Sequence, residues 1–261
     1  MLLVVDVGNT ESVFGVYGGE QLLARWRIST DASKTADEHA ALFRTLLESA
    51  GIDFRKVNAV CISCVVPPMQ IAIEEMSVSL FGTRPLAVGP GIKTGLSILY
   101  DNPREVGADR IVNAVAAYEE YGGPTIIVDI GTATTFCAIS SRGEYLGGAI
   151  APGLGIAAEA LFSKAAKLPR VAFVRPKNVI CKDTVSSIQS GLINGYIELI
   201  DGMVRRVAKE LGDEPTVIGT GGLIDIIAKD SSTIQHVDHL LTLKGLKIIY
   251  ERNTRDSNVR E

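Results

Sequence analysis

Two short stretches place a carboxylate, a glycine and small hydrogen-bonding side chains directly after an apolar run. In LLVVDVGNTES, residues 2 to 12, the run ends on Asp6 and is followed by Gly8, Asn9, Thr10 and Ser12. In TIIVDIGTATT, residues 125 to 135, it ends on Asp129, followed by Gly131, Thr132, Thr134 and Thr135. A turn without a side chain at its glycine lets backbone N–H groups approach phosphate oxygens, and the neutral side chains add donors. A carboxylate beside a polyanion is unfavourable unless a cation lies between them. Asp6 is therefore read as a direct or water-mediated holder of Mg²⁺, and Asp129 as a second cation position or a partner in the same network. One such turn is commonly just a hairpin; two in matching contexts point to phosphate chemistry. A third glycine site, TVIGTGG at 216 to 222, follows an apolar run and precedes the short helical segment LIDIIAK. Gly219, Gly221 and Gly222 offer bare backbone against which adenine and its ribose could lie. The spacing is not the G-x-G-x-x-G of dinucleotide folds.

The stretch YDNPREVGADR, residues 100 to 110, combines turn residues with Asp109 at the start of a helical pattern. Two readings are open on these residues alone. Asp109 is either the N-cap of that helix, a role that contributes about 1 kcal/mol, or a carboxylate aimed at a polar substrate held by the loop.

The elements that must position these residues come in two similar series. Each Asp-containing run is followed by two more apolar segments separated by Gly-containing turns, the signature of consecutive hairpins. Helical and strand patterns then follow: DASKTADEHAALFRTLLESAG (31 to 51) and the strand KVNAVCISCVV in the first half, GIAAEALFSKAAKL, VSSIQSGLINGYIELIDGMVRRVAKEL and the strand PTVIGTGG in the second. This is a duplicated domain. The division is expected near AAYEEYGGP, giving halves of 1–120 and 121–251, with a cleft between them and a polar tail at 252–261.

The 261 residues are 46% hydrophobic and 21% charged, a globular composition, with a net charge of −4. No basic stripe suits nucleic acid and no apolar run approaches a membrane span. The opening apolar residues read as a strand rather than a leader, so a cytoplasmic location is expected. Four cysteines are present. Cys61 and Cys64 have the spacing of a redox or zinc pair, but residues three apart on a strand face opposite ways, so they are expected to be structural. His236 and His239 are expected on a surface loop or helix end, and His39 as an ordinary helix residue.

The paired Asp-x-Gly loops and the late GTGG resemble the actin, Hsp70 and sugar-kinase superfamily. Within it the chain closely resembles the type III pantothenate kinases, through DVGNT (6–10), ISCVVP (62–67), YDNPREVGADR (100–110), DIGTATT (129–135), GGAIAPG (147–153) and GTGG (219–222). The resemblance covers nearly the whole chain. It implies an α/β fold of two duplicated ribonuclease-H-like, actin-like ATPase domains facing a central cleft. It also implies ATP-dependent phosphorylation of the primary hydroxyl of pantothenate. Asp109 would be the base. Tyr100, Gly107, Ala108, Asp109, Arg110 and Thr184 would bind pantothenate, although Thr184 also reads as the N-cap of the following helix. ATP would contact Asp6, Val7, Gly8, Asn9, Thr10, Glu11, Ser12, Val13, Thr132, Gly219, Gly221 and Gly222. Mg²⁺ would accompany ATP near Asp6, and a monovalent cation, K⁺ or NH₄⁺, would sit at Asp129. A homodimer is implied, with the helix from Val185 as an interface candidate. Glu11 stands where the family commonly has asparagine, Cys64 where it has serine and Cys181 where it has glycine; Glu11 is expected to add charge near the phosphates. The alternatives are another superfamily phosphotransferase or phosphatase, and a non-catalytic regulator.

Overall fold

A computed structural model describes residues 1–255, which form two compact units. The first comprises Met1–Gly95, Asp101–Ala116 and the chain from Leu241 onward; the second comprises Leu96–Tyr100 and Ala117–Leu240.

In the first unit, strands β1 (Leu2–Val7), β2 (Glu11–Gly18) and β3 (Gln21–Ser29) form an antiparallel meander. Helix α1 (Ala36–Ser49) leads into β4 (Ala59–Cys64), and α2 (Pro67–Phe81) into the two-residue β5 (Leu86–Ala87). The sheet order is β3-β2-β1-β4-β5, with β4 parallel to β1 and β5 parallel to β4. α1 begins at a capping box in which Thr35 and Glu38 satisfy each other's backbone N–H groups.

After the short β6 (Ser97–Ile98), helix α3 (Ala108–Tyr121) leads to the second unit's own meander. This consists of β7 (Thr125–Ile130), β8 (Ala133–Ile139) and β9 (Glu144–Pro152). Helices α4 (Leu154–Lys164) and α5 (Thr184–Leu211) precede β10 (Thr216–Thr220); α6 (Ile224–Ala228) precedes β11 (His236–Val237). The order β11-β10-β7-β8-β9 repeats that of the first sheet in the same directions, with β6 added beside β9. The expected duplication is thus present strand for strand.

Each sheet has an apolar cluster on one face. Leu3, Val5 and Val7 of β1 pack with Phe43 and Leu47 of α1 and Met69, Ile73 and Met76 of α2; Phe14 stacks on Phe43 at 4.4 Å. In the second unit Ile126, Val128 and Ile130 pack with Ile193, Ile197 and Ile200 of α5.

Several elements differ from the sequence reading. α2 carries apolar residues around its whole circumference, so no single helical stripe marks it in the sequence. The last helix, α7 (Leu241–Thr254), packs on β1, β2 and β4, and therefore belongs to the first unit rather than to a half ending at residue 251. Arg252, expected in a tail, donates to the Thr94 carbonyl, and Asn253 exchanges hydrogen bonds with the Lys93 backbone at 3.0 and 3.1 Å. Polar side chains anchor this turn of helix, so polarity there does not mean a free end; the tail beyond residue 255 lies outside the described residues. His236 is not in a loop but in an edge strand, its ring 5.1 Å from that of Tyr121, and His239 lies 3.1 Å from Asp225. His39 is in α1 as expected, yet is buried with neither ring nitrogen hydrogen-bonded within the described residues. Cys61 and Cys64 occupy β4 as free thiols, and burial pushes the Cys61 thiol up to about 12.

The segment between α6 and β11 is held by one buried carboxylate. Asp201 of α5 accepts hydrogen bonds from the Ser231, Ser232 and Thr233 hydroxyls and from the Ser232 backbone N–H. This ties the segment between α6 and β11 to the long helix. Those donors outweigh the cost of burial and hold the carboxyl at about 2. Its contribution, roughly 2 kcal/mol, is present above the unfolded-state value near pH 4 and is lost as pH falls towards 2. Urea unfolding of Asp201→Asn should therefore show a loss of that size at pH 7 and a shallower decline between pH 4 and pH 2 than the unsubstituted protein.

Candidate active site

The first Asp-x-Gly loop joins β1 to β2. Its geometry is fixed by the Gly8 N–H donating to the Glu11 carbonyl at 3.1 Å, where a side chain on Gly8 would lie 2.9 Å from that oxygen. Thr30, just past β3, completes the bracket. Its hydroxyl donates to the Gly8 carbonyl at 2.7 Å and lies 2.9 Å from the Ser12 hydroxyl, and its N–H donates to the Thr10 carbonyl at 2.9 Å. Ser12 is buried and its hydroxyl is engaged inside the loop, whereas Asn9, Thr10 and Glu11 at the tip are exposed. Thr30 was not legible as a site residue, because its role follows from the β2–β3 register and no local motif marks it. The Glu11 carboxylate lies 3.3 Å from Arg27 on β3. Both side chains are exposed, so the pair is a weak one and Glu11 keeps its charge at the loop tip.

Asp6 sits half-buried at the penultimate position of β1, between Val13 of β2 and Ser63 of β4 in register, with Val7 next in chain and buried. Asp129 has the same place in β7, between Thr135 of β8 and Thr220 of β10, and both strands show the same burial pattern. A single half-buried carboxylate beside backbone and hydroxyl donors suits a hard divalent ion completed by phosphate oxygens. Among the described residues no group of three His, Cys, Asp or Glu forms a metal cage.

In the second loop Gly131 and Thr132 are exposed, and the Gly131 N–H donates to the Ala133 carbonyl at 3.0 Å. Thr134 turns into the core, 3.1 Å from the Tyr196 hydroxyl, so it is not a surface donor; Thr135 alternates to the face shared with Asp129. The Gly153 N–H, at the start of α4, donates to the Thr132 carbonyl at 3.1 Å and closes the loop from behind. In the glycine segment after β10, Gly219 is buried against Ile224, Gly222 is exposed, and Gly221 has φ of +98°. A side chain at Gly221 would come within 2.6 Å of the Asp129 carboxylate and 2.5 Å of the Ile130 carbonyl.

The third stretch is divided between the units: Tyr100 belongs to the second, Gly107 to Arg110 to the first. α3 begins at Ala108, so Gly107 holds the position before the helix and Asp109 is its second residue. This corrects the N-cap reading. The Asp109 carboxylate instead accepts the neighbouring Arg110 N–H at 2.8 Å, while a side chain on Gly107 would lie 2.4 Å from that carboxylate. Arg110 is buried. The preceding turn is set by Asn102, whose amide donates to Glu105 at 2.7 Å and whose carbonyl oxygen accepts the Arg104 N–H. Tyr100 lies over Gly147 of the GGAIAPG segment, with its ring 6.5 Å from that of Tyr145.

The N-cap of α5 is Asp183, which accepts the Ser186 N–H at 2.9 Å and its hydroxyl at 2.6 Å. Thr184, expected as the cap, is the first helical residue. It is exposed and lines a concave surface of about 780 Å³ with Leu161, Leu168, Cys181 and Ile188.

A family model described as Type III pantothenate kinase matches residues 2–206. A type III pantothenate kinase of Geobacter sulfurreducens is 56% identical over 253 residues, covering 97% of this chain and 99% of its own. Among solved structures, a Campylobacter jejuni protein described as a Baf family transcriptional activator aligns with a TM-score of 0.64 at 18% identity, over 97% of this chain and 99% of its own. MreB 5 of Spiroplasma citri bound to AMPPNP aligns with a TM-score of 0.54 at 12% identity, over 99% and 98%. These two likenesses concern the fold, which is that of the actin-like ATPases and sugar kinases.

The crowding at Gly221 gives a direct test of the second carboxylate's setting. Gly221→Ala is expected to lower the thermal midpoint by several degrees, through a strained positive φ and displacement of Asp129 (a cost of about 1–3 kcal/mol), as scanning calorimetry would register.

Proposed function

Because this chain belongs to the type III pantothenate kinase family, we propose that it transfers the γ-phosphoryl group of ATP to the primary hydroxyl of pantothenate, the first step of coenzyme A biosynthesis. The observation that carries the reading at the level of the site is the repetition of one device. A carboxylate at the end of a central strand, followed by a glycine turn with exposed donors, occurs in both units at equivalent strand positions.

The first loop, with Asn9, Thr10 and the backbone around Gly8, binds ATP phosphates, and Thr132 in the second loop does the same. The exposed Gly222 and the neighbouring Gly221 present backbone to the adenosine. Asp6 would hold Mg²⁺ and Asp129 a monovalent cation; bound with the nucleotide, these ions neutralise phosphate charge. Asp109 receives the proton of the pantothenate hydroxyl. Phosphoryl transfer passes through a loose transition state, so the hydroxyl loses its proton late and the carboxylate's main work is to aim it. The Arg110 N–H at 2.8 Å keeps that carboxylate at the start of α3, and the bare Gly107 leaves it room. Arg110 is suited to the substrate carboxylate or to developing phosphoryl charge. Tyr100, Ala108 and Thr184 complete the substrate contacts in this reading.

Among the described residues no helix is long and apolar enough to cross a membrane; the protein acts in the cytoplasm in this reading. It also acts as a homodimer. Support comes from apolar side chains left exposed on α4 and at the start of α5, including Ile156, Leu161 and Val185. Light scattering should give twice the chain mass.

ADP release from Mg-ATP should depend on pantothenate and be faster in potassium than in sodium buffer. Release indifferent to pantothenate would mark a hydrolase. Asp109→Asn should keep nucleotide binding and lose turnover by about 10²–10⁴-fold. Asp129→Asn should abolish the difference between potassium and sodium. Near-normal turnover of the Asp109 variant would remove that residue from the mechanism.

A further inference from the structure

We propose that Ser63 is a positioning residue for the divalent ion that accompanies the nucleotide: its hydroxyl and the Asp6 carboxylate together hold one water ligand of that ion. The proposal rests on the reading of Asp6 as the ion's holder.

Ser63 lies at the fifth position of β4, fully buried, and its hydroxyl has no hydrogen-bond partner among the described residues. A buried hydroxyl left in this condition is costly and uncommon, and calls for a specific explanation. The register supplies one. Ser63 is the direct partner of Asp6 in the parallel β1–β4 ladder, so the two side chains share a face of the sheet on strands about 4.8 Å apart. Leu3, Val5 and Val7 of β1 and Val60 and Ile62 of β4 point into the apolar cluster under α1 and α2. Asp6 and Ser63 alternate to the opposite face. On its other side Asp6 is partnered by Val13, which has no side-chain donor. Ser63 is thus the hydroxyl that the sheet places beside Asp6.

The second unit repeats the pairing. Asp129 is the direct partner of buried Thr220 in the parallel β7–β10 ladder. The segments carrying these residues, AVCISC and TVIGT, have little else in common. What they share is a small hydroxyl at the rung of the carboxylate, on the parallel neighbour of the strand that bears it. At Ser63 packing alone would be served by alanine.

Serine and alanine differ here by one oxygen, so Ser63→Ala isolates the hydroxyl. Binding of Mn²⁺ to the ADP complex, followed by electron paramagnetic resonance, should need about three- to tenfold more metal for half-saturation in this variant. Fluorescent ADP binding in the presence of a chelator should be unchanged. The thermal midpoint should hold or rise, because an unpaired buried group has been removed. Asp6→Asn serves as the reference. If Asp6→Asn weakens Mn²⁺ binding and Ser63→Ala leaves it as in the unsubstituted protein, the proposal is overturned while the reading of Asp6 stands. If neither substitution alters it, the reading of Asp6 falls and takes the proposal with it.

Discussion

A charged group placed where a sheet would otherwise be apolar governs the organisation of each unit. β1 and β7 are buried along most of their length and then carry a carboxylate one residue before the end. Such a group is tolerated only where hydrogen bonds, a counter-ion or water compensate it. The glycine turn lies immediately beyond it, a hydroxyl-bearing residue stands at its rung on the parallel neighbour strand, and in the second unit Gly221 leaves room beside Asp129. The hairpin and the parallel neighbour strand do not merely surround the site. They leave a half-buried carboxylate at the end of a central strand beside a glycine turn and a small hydroxyl, an environment that suits a hydrated cation and a phosphate chain.

The rest of the framework keeps the turns stiff. Thr30 ties the end of β3 to the first loop, Gly153 closes the second loop from the start of α4, and Asp201 fastens the segment beyond α6 to α5. Each uses a polar group of one element to satisfy backbone or hydroxyl groups of another. The two Asp-x-Gly loops therefore expose donors at their tips while other hydrogen-bonding groups of the same loops are occupied.

The strands and the duplication were legible because the apolar runs are short, bounded by glycine turns and repeated in the same order. The positions of the three carboxylates of the proposed site, Asp6, Asp129 and Asp109, were legible for a similar reason: a carboxylate at the end of an apolar run or the start of a helix stands out. Thr30, Ser63 and Thr220 were not, since their importance comes from register between strands far apart in sequence. The Glu11–Arg27 pair was likewise invisible, because it lies across a hairpin. The caps of α3 and α5 were misplaced by a residue or two, since Asp183 and Thr184 are both acceptable caps by type and only the backbone decides between them. α2 and α7 escaped notice for opposite reasons: the first is apolar all round, and the second ends in polar residues that prove to be anchors.

The position of α7 also bears on how the chain is made. This helix covers β1, β2 and β4, and Lys247 within it pairs with Glu20 at 2.6 Å and Glu251 at 2.7 Å. The first sheet emerges early from the ribosome, but the helix that covers it emerges only after the second unit's residues. The second unit has its meander, α4, α5, β10 and β11 in hand before α7 is synthesised. Completion therefore runs counter to synthesis: all of the second unit's residues precede α7, so the first unit's sheet keeps an apolar face uncovered until the second unit has been made. Contacts spanning more than two hundred residues form slowly, so this face is the part of the nascent protein most in need of protection from aggregation.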